Sequence, residues 1–266
     1  MQVLLERIVQ RCRQAGRTGS HAAFDFVFPR LCPWCGVNDA AILNSSNFDP
    51  ALCETCRTKL APPIEQSCPR CAAPVGPFLG SMSRCIHCRR DRFKFDTAFC
   101  LGLYDGALRS ACLAIKQPGG EALGAALAGL LWERSQASLV ERDIDAVVSV
   151  PRYWQHRLWQ PHNAAQTLGQ ALAGRLQAKF LGHILRKVRK TPAQAGLPPT
   201  QRRANLRGAF RVFRSRAVAD RVVLLVDDIL TTGTTANEVS KSLLRAGAKK
   251  VVVAVIARGL GASSRA

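Results

Sequence analysis

The sequence of 266 residues lacks any apolar run that is long enough to cross a membrane. Its longest uncharged apolar stretch, Ala122–Trp132, contains glycines and is shorter than the ~20 residues that a spanning helix needs. The N-terminal segment also lacks an apolar signal core, because Glu6, Arg7 and Arg11 interrupt it. We therefore expect no signal peptide, no membrane span and a cytoplasmic location.

Acidic residues are scarce, since 18 Asp and Glu stand against 38 Lys and Arg and give a formal charge of +20. Fourteen Lys and Arg and no Asp or Glu lie between Ala146 and Ala219. Such a block is either solvated surface or a site for a polyanion, meaning a phosphorylated small molecule or a nucleic acid. Aromatic residues, 6% of the chain, offer only modest surface for stacking bases.

Cysteines are abundant, and without an export signal they argue against a disulfide framework. Eight of the eleven form four Cys-x-x-Cys pairs: Cys32 and Cys35, Cys53 and Cys56, Cys68 and Cys71, Cys85 and Cys88. Two thiolates at this spacing reach one metal from a tight turn, and four thiolates close a tetrahedral zinc site. The eight thiolates therefore predict two structural zinc sites. Sequential pairing gives two tandem zinc ribbons, and a cross-braced pairing of the first with the third pair is the alternative.

The cysteine pairs do not suit redox chemistry, because no thioredoxin-like strand precedes any of them. Closed all-thiolate sites leave no open metal position, so the metal should drive folding rather than catalysis. Cys12, Cys100 and Cys112 lie in apolar or helical settings and are expected to be free thiols or core residues.

The pattern along the chain divides it into three parts: a helix or tether at 1–28, a double zinc ribbon at 29–92, and an α/β domain at 96–260. Strands are expected at 96–104, 145–150, 221–226 and 250–257, and helices at 106–116, 121–135, 162–176 and 235–246. Continuous β-branched runs that alternate with helices predict a parallel sheet flanked by helices. Residues 189–209 contain three prolines and many basic residues, which predicts a long exposed loop.

One stretch of the α/β domain combines features of a phosphate site with a pair of carboxylates. Asp227 and Asp228 follow the apolar run Val222–Val226, and "TTGTT" comes shortly after them, before the last predicted helix. Ligands of such sheets bind beyond the carboxyl ends of the strands. Gly233 permits a tight turn, and the helix that begins near Thr234 offers N–H groups to an anion. A ligand with a phosphate on one side and a diol for the carboxylates on the other is a ribose 5-phosphate. A Walker-type loop is excluded, because the Gly-Lys-Ser/Thr element is missing.

The stretch "VVLLVDDILTTGTT" resembles the phosphoribosyl pyrophosphate (PRPP) motif of type I phosphoribosyltransferases. Four cysteine pairs ahead of such a domain resemble the ComF/GntX family of competence-related, phosphoribosyltransferase-like proteins. The resemblance covers about residues 29–259. It implies a type I phosphoribosyltransferase-like parallel sheet flanked by helices and preceded by a small double zinc ribbon.

The resemblance also implies roles for particular residues. Pyrophosphate would be displaced from C1 of PRPP with the help of Mg²⁺, and an acceptor that the sequence does not identify would take the phosphoribosyl group. Asp227 and Asp228 would serve the ribose hydroxyls, with Asp228 a possible proton acceptor. The 5-phosphate would be held by Thr231, Thr232, Gly233, Thr234 and Thr235. Arg152 would contact the pyrophosphate. The mobile loop that carries Arg189, Lys190, Arg202 and Arg203 could close over the bound PRPP and exclude water, with Arg202 and Arg203 contributing to PRPP binding. Lys116 is a weaker candidate.

The alternative is a non-catalytic factor associated with competence and DNA uptake. Such a protein would bind single-stranded DNA or a partner protein through its basic face and would retain a PRPP or nucleotide site. The basic block favours this interpretation a little, whereas the "DDILTTGTT" motif favours the enzyme.

Overall fold

A computed structural model describes residues 31–38, 51–64, 66–75, 85–151, 163–189, 191 and 199–260. The chain divides into two compact units, Met1–Glu54 and Thr55–Ala266. In the part of the chain that the structure describes, no helix combines the length and the apolar character needed to cross a membrane. The division into 1–28, 29–92 and 96–260 stays a prediction.

The larger unit contains a central parallel sheet. Its strands are β1 (Ala98–Phe99), β2 (Gly102–Leu103), β3 (Ala146–Ser149), β4 (Lys179–Phe180), β7 (Val222–Leu230) and β8 (Lys250–Arg258). The order across the sheet is β1-β8-β7-β3-β4, with β2 also pairing with β8, and every pairing is parallel. Because β7 and β8 are central, their Val and Leu side chains form the core. The predicted parallel sheet is therefore confirmed.

Helices connect and cover these strands. They are α1 (Glu54–Leu60), α2 (Gly106–Ala114), α3 (Glu121–Val140), α4 (Ala164–Leu176), α5 (Pro199–Leu206) and α6 (Thr234–Arg245). Strands β5 (Leu185–Lys187) and β6 (Phe210–Val212) form a separate antiparallel hairpin, and the 3-10 turn Ser215–Ala217 follows it. The hairpin stands outside the central sheet, in the stretch that precedes β7.

Some expectations from the sequence need correction. The strand expected at 96–104 is broken at Cys100 and Leu101 into β1 and β2. The long loop expected at 189–209 contains α5, whose Leu206 is buried and holds the segment against the core despite its prolines. The helix expected at 162–176 begins at Ala164, and the side-chain amide of the preceding Asn163 donates to the Val150 carbonyl at 3.4 Å instead of capping the helix.

Candidate functional site

The two adjacent carboxylates lie within the central strand rather than after it. The sequence places the end of the strand at Val226, whereas β7 continues through Leu230 and pairs with β8 up to Arg258. Successive strand residues point to opposite faces of a sheet, so Asp227 and Asp228 face different surroundings. The Asp228 N–H donates to Asp227 Oδ1 at 2.9 Å, which fixes the two groups relative to each other.

A lysine from another element lies against this pair. Lys116, just after α2, places its Nζ 2.6 Å from Asp228 Oδ2, and both side chains are mostly buried. Burial alone would lower the pKa of Lys116, but the charge of Asp228 and the hydrogen bond to it, with the charge of Asp227, raise that pKa above its ordinary value. The site therefore holds a fixed ammonium group beside the carboxylates.

Asp227 has a strongly perturbed acidity. Burial, reinforced by the charge of Asp228, raises the pKa of Asp227 well above its ordinary value, although the Asp228 N–H and Lys116 act in the opposite direction. Cys112 lies near the same charges, and burial, then the charge of Asp228, raises the pKa of its thiol to about 12. Cys112 and Cys100 are buried free thiols, as the sequence predicts, and Cys12 lies outside the described residues.

The hydroxyl-rich turn connects β7 to α6 and is called the phosphate loop below (Thr231–Thr235). Gly233 adopts φ +72° at the start of α6, a conformation that glycine allows without strain. Thr232 Oγ1 and Thr234 Oγ1 lie 2.8 Å apart. The first turn of a helix has N–H groups without intrahelical partners, and its positive dipole end favours anions. The geometry of this loop suits a phosphate group.

The structure describes only some of the basic residues that the sequence assigns to the PRPP site. Arg152 and Lys190 lie outside the described residues. Arg202 and Arg203 fall on α5, where the backbone alone is described. Arg189 donates to the carbonyl groups of Asn205 and Arg207 at 2.8 and 2.9 Å. Their roles therefore stay predictions, whereas Lys116, a weaker candidate by sequence, is the cation that the structure brings to the carboxylates.

Eight cysteines form two groups, and the predicted sequential pairing is confirmed. One group holds Cys32, Cys35, Cys53 and Cys56, and the other holds Cys68, Cys71, Cys85 and Cys88. Within each group the sulfur atoms lie within 4.8 Å of one another. Sulfur atoms bound to one Zn²⁺ at about 2.3 Å lie about 3.8 Å apart at tetrahedral angles. The closest sulfur pairs, at 3.6 to 3.9 Å, match that spacing, so the residues fit zinc.

The Cys-x-x-Cys turn has the same local form in both groups. In the first, the Gly36 N–H donates to the Cys32 carbonyl at 2.8 Å, and in the second the Ala72 N–H donates to the Cys68 carbonyl at 2.9 Å. Both turns end in a left-handed residue, with φ +74° at Gly36 and +54° at Ala72. Repetition of one metal-binding turn supports two equivalent zinc ribbons.

Two residues near the phosphate loop were not found by sequence reasoning. Phe93 packs its ring against Gly233, and Arg258, at the end of β8, is buried beside Leu230 and Thr231. The sequence does contain a signal for Arg258, because it is a charged residue at the end of an otherwise apolar strand. No pattern in the sequence distinguishes Phe93 from an ordinary core residue.

Comparisons with known proteins show what the chain is similar to. The sequence model of one protein family, the phosphoribosyl transferase domain, matches residues 161–264 of this chain. Competence protein F of Haemophilus influenzae is 37% identical over 115 residues, and the match covers 43% of this chain and 50% of that protein. The chain thus spans half the length of this relative. DNA utilization protein YhgH of Salmonella typhi is 31% identical over 198 residues, which cover 73% of this chain and 84% of that protein.

Among solved structures, adenine phosphoribosyltransferase from Saccharomyces cerevisiae is similar at 19% identity and a TM-score of 0.32, over 54% of this chain and 72% of that one. The parallel sheet, the two cysteine groups and the similarity to YhgH over most of its length lead to one assignment. The chain belongs to the ComF/GntX family, which includes Competence protein F and YhgH and is characterised by a phosphoribosyltransferase-like domain.

Proposed function

We propose that this chain binds PRPP and transfers its phosphoribosyl group to an acceptor with release of pyrophosphate. The observation that supports this most is the arrangement at the end of β7, where a carboxylate pair precedes a left-handed glycine and the N-terminus of α6. The 5-phosphate would lie on the phosphate loop, and the ribose hydroxyls would donate to Asp227 and Asp228. The phosphate would thus be recognised by hydrogen-bond donors of the phosphate loop, and the diol by the neighbouring carboxylates, which accept hydrogen bonds.

The reaction breaks the bond between C1 and the pyrophosphate oxygen and forms a bond from C1 to a nucleophilic atom of the acceptor. Negative charge grows on the departing pyrophosphate, and cations fixed beforehand stabilise it without reorganisation. Lys116 meets this requirement, since Asp228 holds it in place and keeps it charged. Arg152, Arg202 and Arg203 remain proposed contacts to the same group.

Mg²⁺ fits this site as a partner of the ligand. Carboxylate oxygens of Asp227 and Asp228 are hard donors, and Mg²⁺ in proteins is commonly bound by one or two carboxylates together with phosphates of the substrate. The ion would neutralise the charge on the pyrophosphate. Zinc, by contrast, would stay in the two cysteine groups as a structural metal.

Pyrophosphate release tests the proposed transfer. The full-length chain with zinc, PRPP and Mg²⁺ is incubated with a panel of nitrogen nucleophiles, such as nucleobases, amines and amides, and pyrophosphate is measured. We expect release above the rate of PRPP hydrolysis with one class of acceptor. No release with any of them, in protein that binds PRPP, would contradict transfer but leave ligand binding intact.

A second function is favoured by the hairpin that precedes β7. Arg186 and Arg211 lie directly opposite each other in the β5–β6 pairing, where like charges repel unless an anion lies between them. Exposed Phe213 has the Arg186 guanidinium 4.8 Å from its ring centre, which adds a stacking platform. These features fit single-stranded DNA, in line with the names of the relatives, Competence protein F and DNA utilization protein YhgH.

Salt dependence tests the second function. Fluorescence anisotropy with a labelled oligonucleotide should show affinity that falls steeply with salt. Arg186→Gln with Arg211→Gln should reduce the logarithmic slope by about 0.7 for each DNA phosphate that the variant no longer neutralises. Affinity that is unchanged by these substitutions would exclude the hairpin as the DNA site. The variant Asp228→Asn should leave DNA affinity intact, which separates the two functions.

We also propose a cytoplasmic location for the chain. Eight thiols in two zinc-binding groups need a reducing compartment, where they stay available to the metal instead of forming disulfides.

A further inference from the structure

A buried arginine joins the second cysteine group to the phosphate loop. Arg258 is 4% exposed, and its Nε donates to the Cys71 carbonyl at 2.9 Å. Its Nη1 donates to the Leu230 carbonyl at 2.8 Å and also to the carbonyl groups of Thr231 and Gly259. One rigid guanidinium therefore holds a metal-ligand turn and the start of the phosphate loop at a fixed separation.

A second connection begins at the neighbouring residue of the same turn. Arg70 donates to the carbonyl groups of Phe93 at 2.6 Å and Asp96 at 2.7 Å, and its guanidinium lies 5.9 Å from the Phe95 ring centre. Phe93 stacks on Phe95 with the ring centroids 4.6 Å apart. The Phe93 ring lies so close to Gly233 that an added Cβ would come within 2.7 Å of it. Arg70 thus fixes the segment that covers the glycine of the phosphate loop.

Further hydrogen bonds secure the same packing. The Lys94 N–H donates to Asn237 Oδ1 at 2.7 Å, in the first turn of α6. The Thr97 hydroxyl donates to the Pro69 carbonyl, inside the Cys68–Cys71 turn. The phosphate loop and the residues that flank it are therefore contacted from the side of the second cysteine group, at Leu230 and Thr231 by Arg258 and at Gly233 and Asn237 by residues 93–94.

We propose that the second cysteine group, with its metal, is a brace that holds the phosphate loop in its anion-binding conformation, and that Arg258 is the positioning residue of this brace. Without metal, the four thiol groups, whose sulfur atoms lie within 4.8 Å of one another, lose the bonds that the ion would supply, so we expect the turn that carries Arg70 and the Cys71 carbonyl to loosen. A loop ordered in advance binds more tightly, because less conformational entropy is lost on binding. The effect on affinity rests on the proposed ribose phosphate site, whereas the effect on loop order does not.

Hydrogen exchange of the full-length, zinc-loaded chain tests the brace without relying on activity. Arg258→Lys keeps the charge and the aliphatic stem but lacks the planar fork that joins Cys71 to Leu230. We expect the amides of Thr231–Thr235 to exchange about tenfold faster and ribose 5-phosphate with Mg²⁺ to bind about tenfold more weakly, the effect of removing a hydrogen bond of a charged group. Exchange in the centre of β8, at Val251–Val255, should stay unchanged.

Removal of metal from one group at a time supplies the matched comparison. Cys85→Ser opens the second group, and Cys35→Ser opens the first, so the chemistry of the change is the same. We expect the faster loop exchange only for Cys85→Ser, with one zinc per chain in both variants. Should Arg258→Lys fail to fold, Arg70→Gln tests the brace instead, because the half-buried Arg70 side chain holds the segment from Phe93 to Asp96 that covers the loop.

The outcomes separate this inference from the proposed function. Unchanged loop exchange in Arg258→Lys, Arg70→Gln and Cys85→Ser would overturn the brace. Exchange that rises equally in β8 and the loop would overturn it as well, because it would show a general structural role. Faster loop exchange in a chain that never binds ribose 5-phosphate or PRPP would support the brace while the proposed function fails.

Discussion

At the scale of single residues, the proposed site depends on the ion pair between Lys116 and Asp228. Lys116 neutralises Asp228 in the structure at 2.6 Å, whereas a bound ribose would offer hydroxyl groups to the same carboxylate. If PRPP binds as proposed, Lys116 keeps its contact with Asp228 and donates to the pyrophosphate as well, because an ammonium group has three N–H donors. The ammonium would then distinguish PRPP from ribose 5-phosphate.

Lys116→Gln is therefore expected to weaken PRPP binding more than ribose 5-phosphate binding. The decrease should be about tenfold to a hundredfold for PRPP, the range for a hydrogen bond to a charged group, and smaller for ribose 5-phosphate. Calorimetric titration of both ligands gives the ratio, and Lys241→Gln serves as the control with an intact site. Equal decreases for both ligands would mean that Lys116 acts on the ribose side or only supports the fold.

The raised pKa of Asp227 leads us to expect that the stability of the ligand-free chain depends on pH. Its raised pKa means that the folded state binds the proton more tightly than the unfolded state, so stability falls as pH rises above the ordinary aspartate value of 3.8. Asp227→Asn should therefore raise the melting temperature at pH 7, by about 2–4 °C for each kcal/mol relieved, and the gain should shrink toward pH 4. Thermal melts at several pH values check this, and a variant that is destabilised at pH 7 would contradict it.

At the scale of elements, the junction of β7 and α6 is constrained from two sides. Gly233 needs its left-handed backbone to start the helix directly after the strand, and the Phe93 ring leaves no space for a side chain there. Gly208 has a similar φ of +68° but meets nothing within 4 Å of an added Cβ. The two glycines separate the cost of backbone strain from the cost of the clash.

Gly233→Ala is expected to destabilise the fold more than Gly208→Ala. Both variants should be destabilised by about 1–2 kcal/mol from the left-handed backbone, and Gly233→Ala by more because the Phe93 ring must move. Chemical denaturation measures both, and Phe93→Leu in the Gly233→Ala background should recover part of the difference. Equal destabilisation in the two alanine variants would show that the packing of Phe93 on the loop adjusts freely.

At the scale of the whole molecule, the two cysteine groups predict a fixed metal content. The chain purified without chelator should contain two zinc ions, and Cys85→Ser or Cys35→Ser should each leave one, since the groups share no cysteine. Elemental analysis gives the number directly. A content of two in either variant would contradict the assignment of four thiolates to each site.

The sequence anticipated the parts of the fold that depend on local pattern. The apolar runs of β7 and β8 predict the central strands, because a continuous apolar run is visible in the local sequence. The spacing of the cysteine pairs predicts the sequential zinc groups for the same reason. The hydrogen bond of Arg258 to Cys71 could not be predicted, since 187 positions separate them and only the tertiary fold brings them together. The helix α5 was missed because its prolines and charges indicate an exposed loop. The burial of Leu206, which holds the segment against the core, depends on the tertiary fold.

The central claim, a ribose phosphate site at Asp227, Asp228 and the phosphate loop, is tested most directly by calorimetric titration of the zinc-loaded chain with PRPP and Mg²⁺. The double variant Asp227→Asn with Asp228→Asn is titrated beside it, and its zinc content and melting curve confirm that it is folded. We predict micromolar binding to the unmodified chain and its absence in the variant. No binding to the folded, zinc-loaded chain, or equal binding to the variant, would contradict the account.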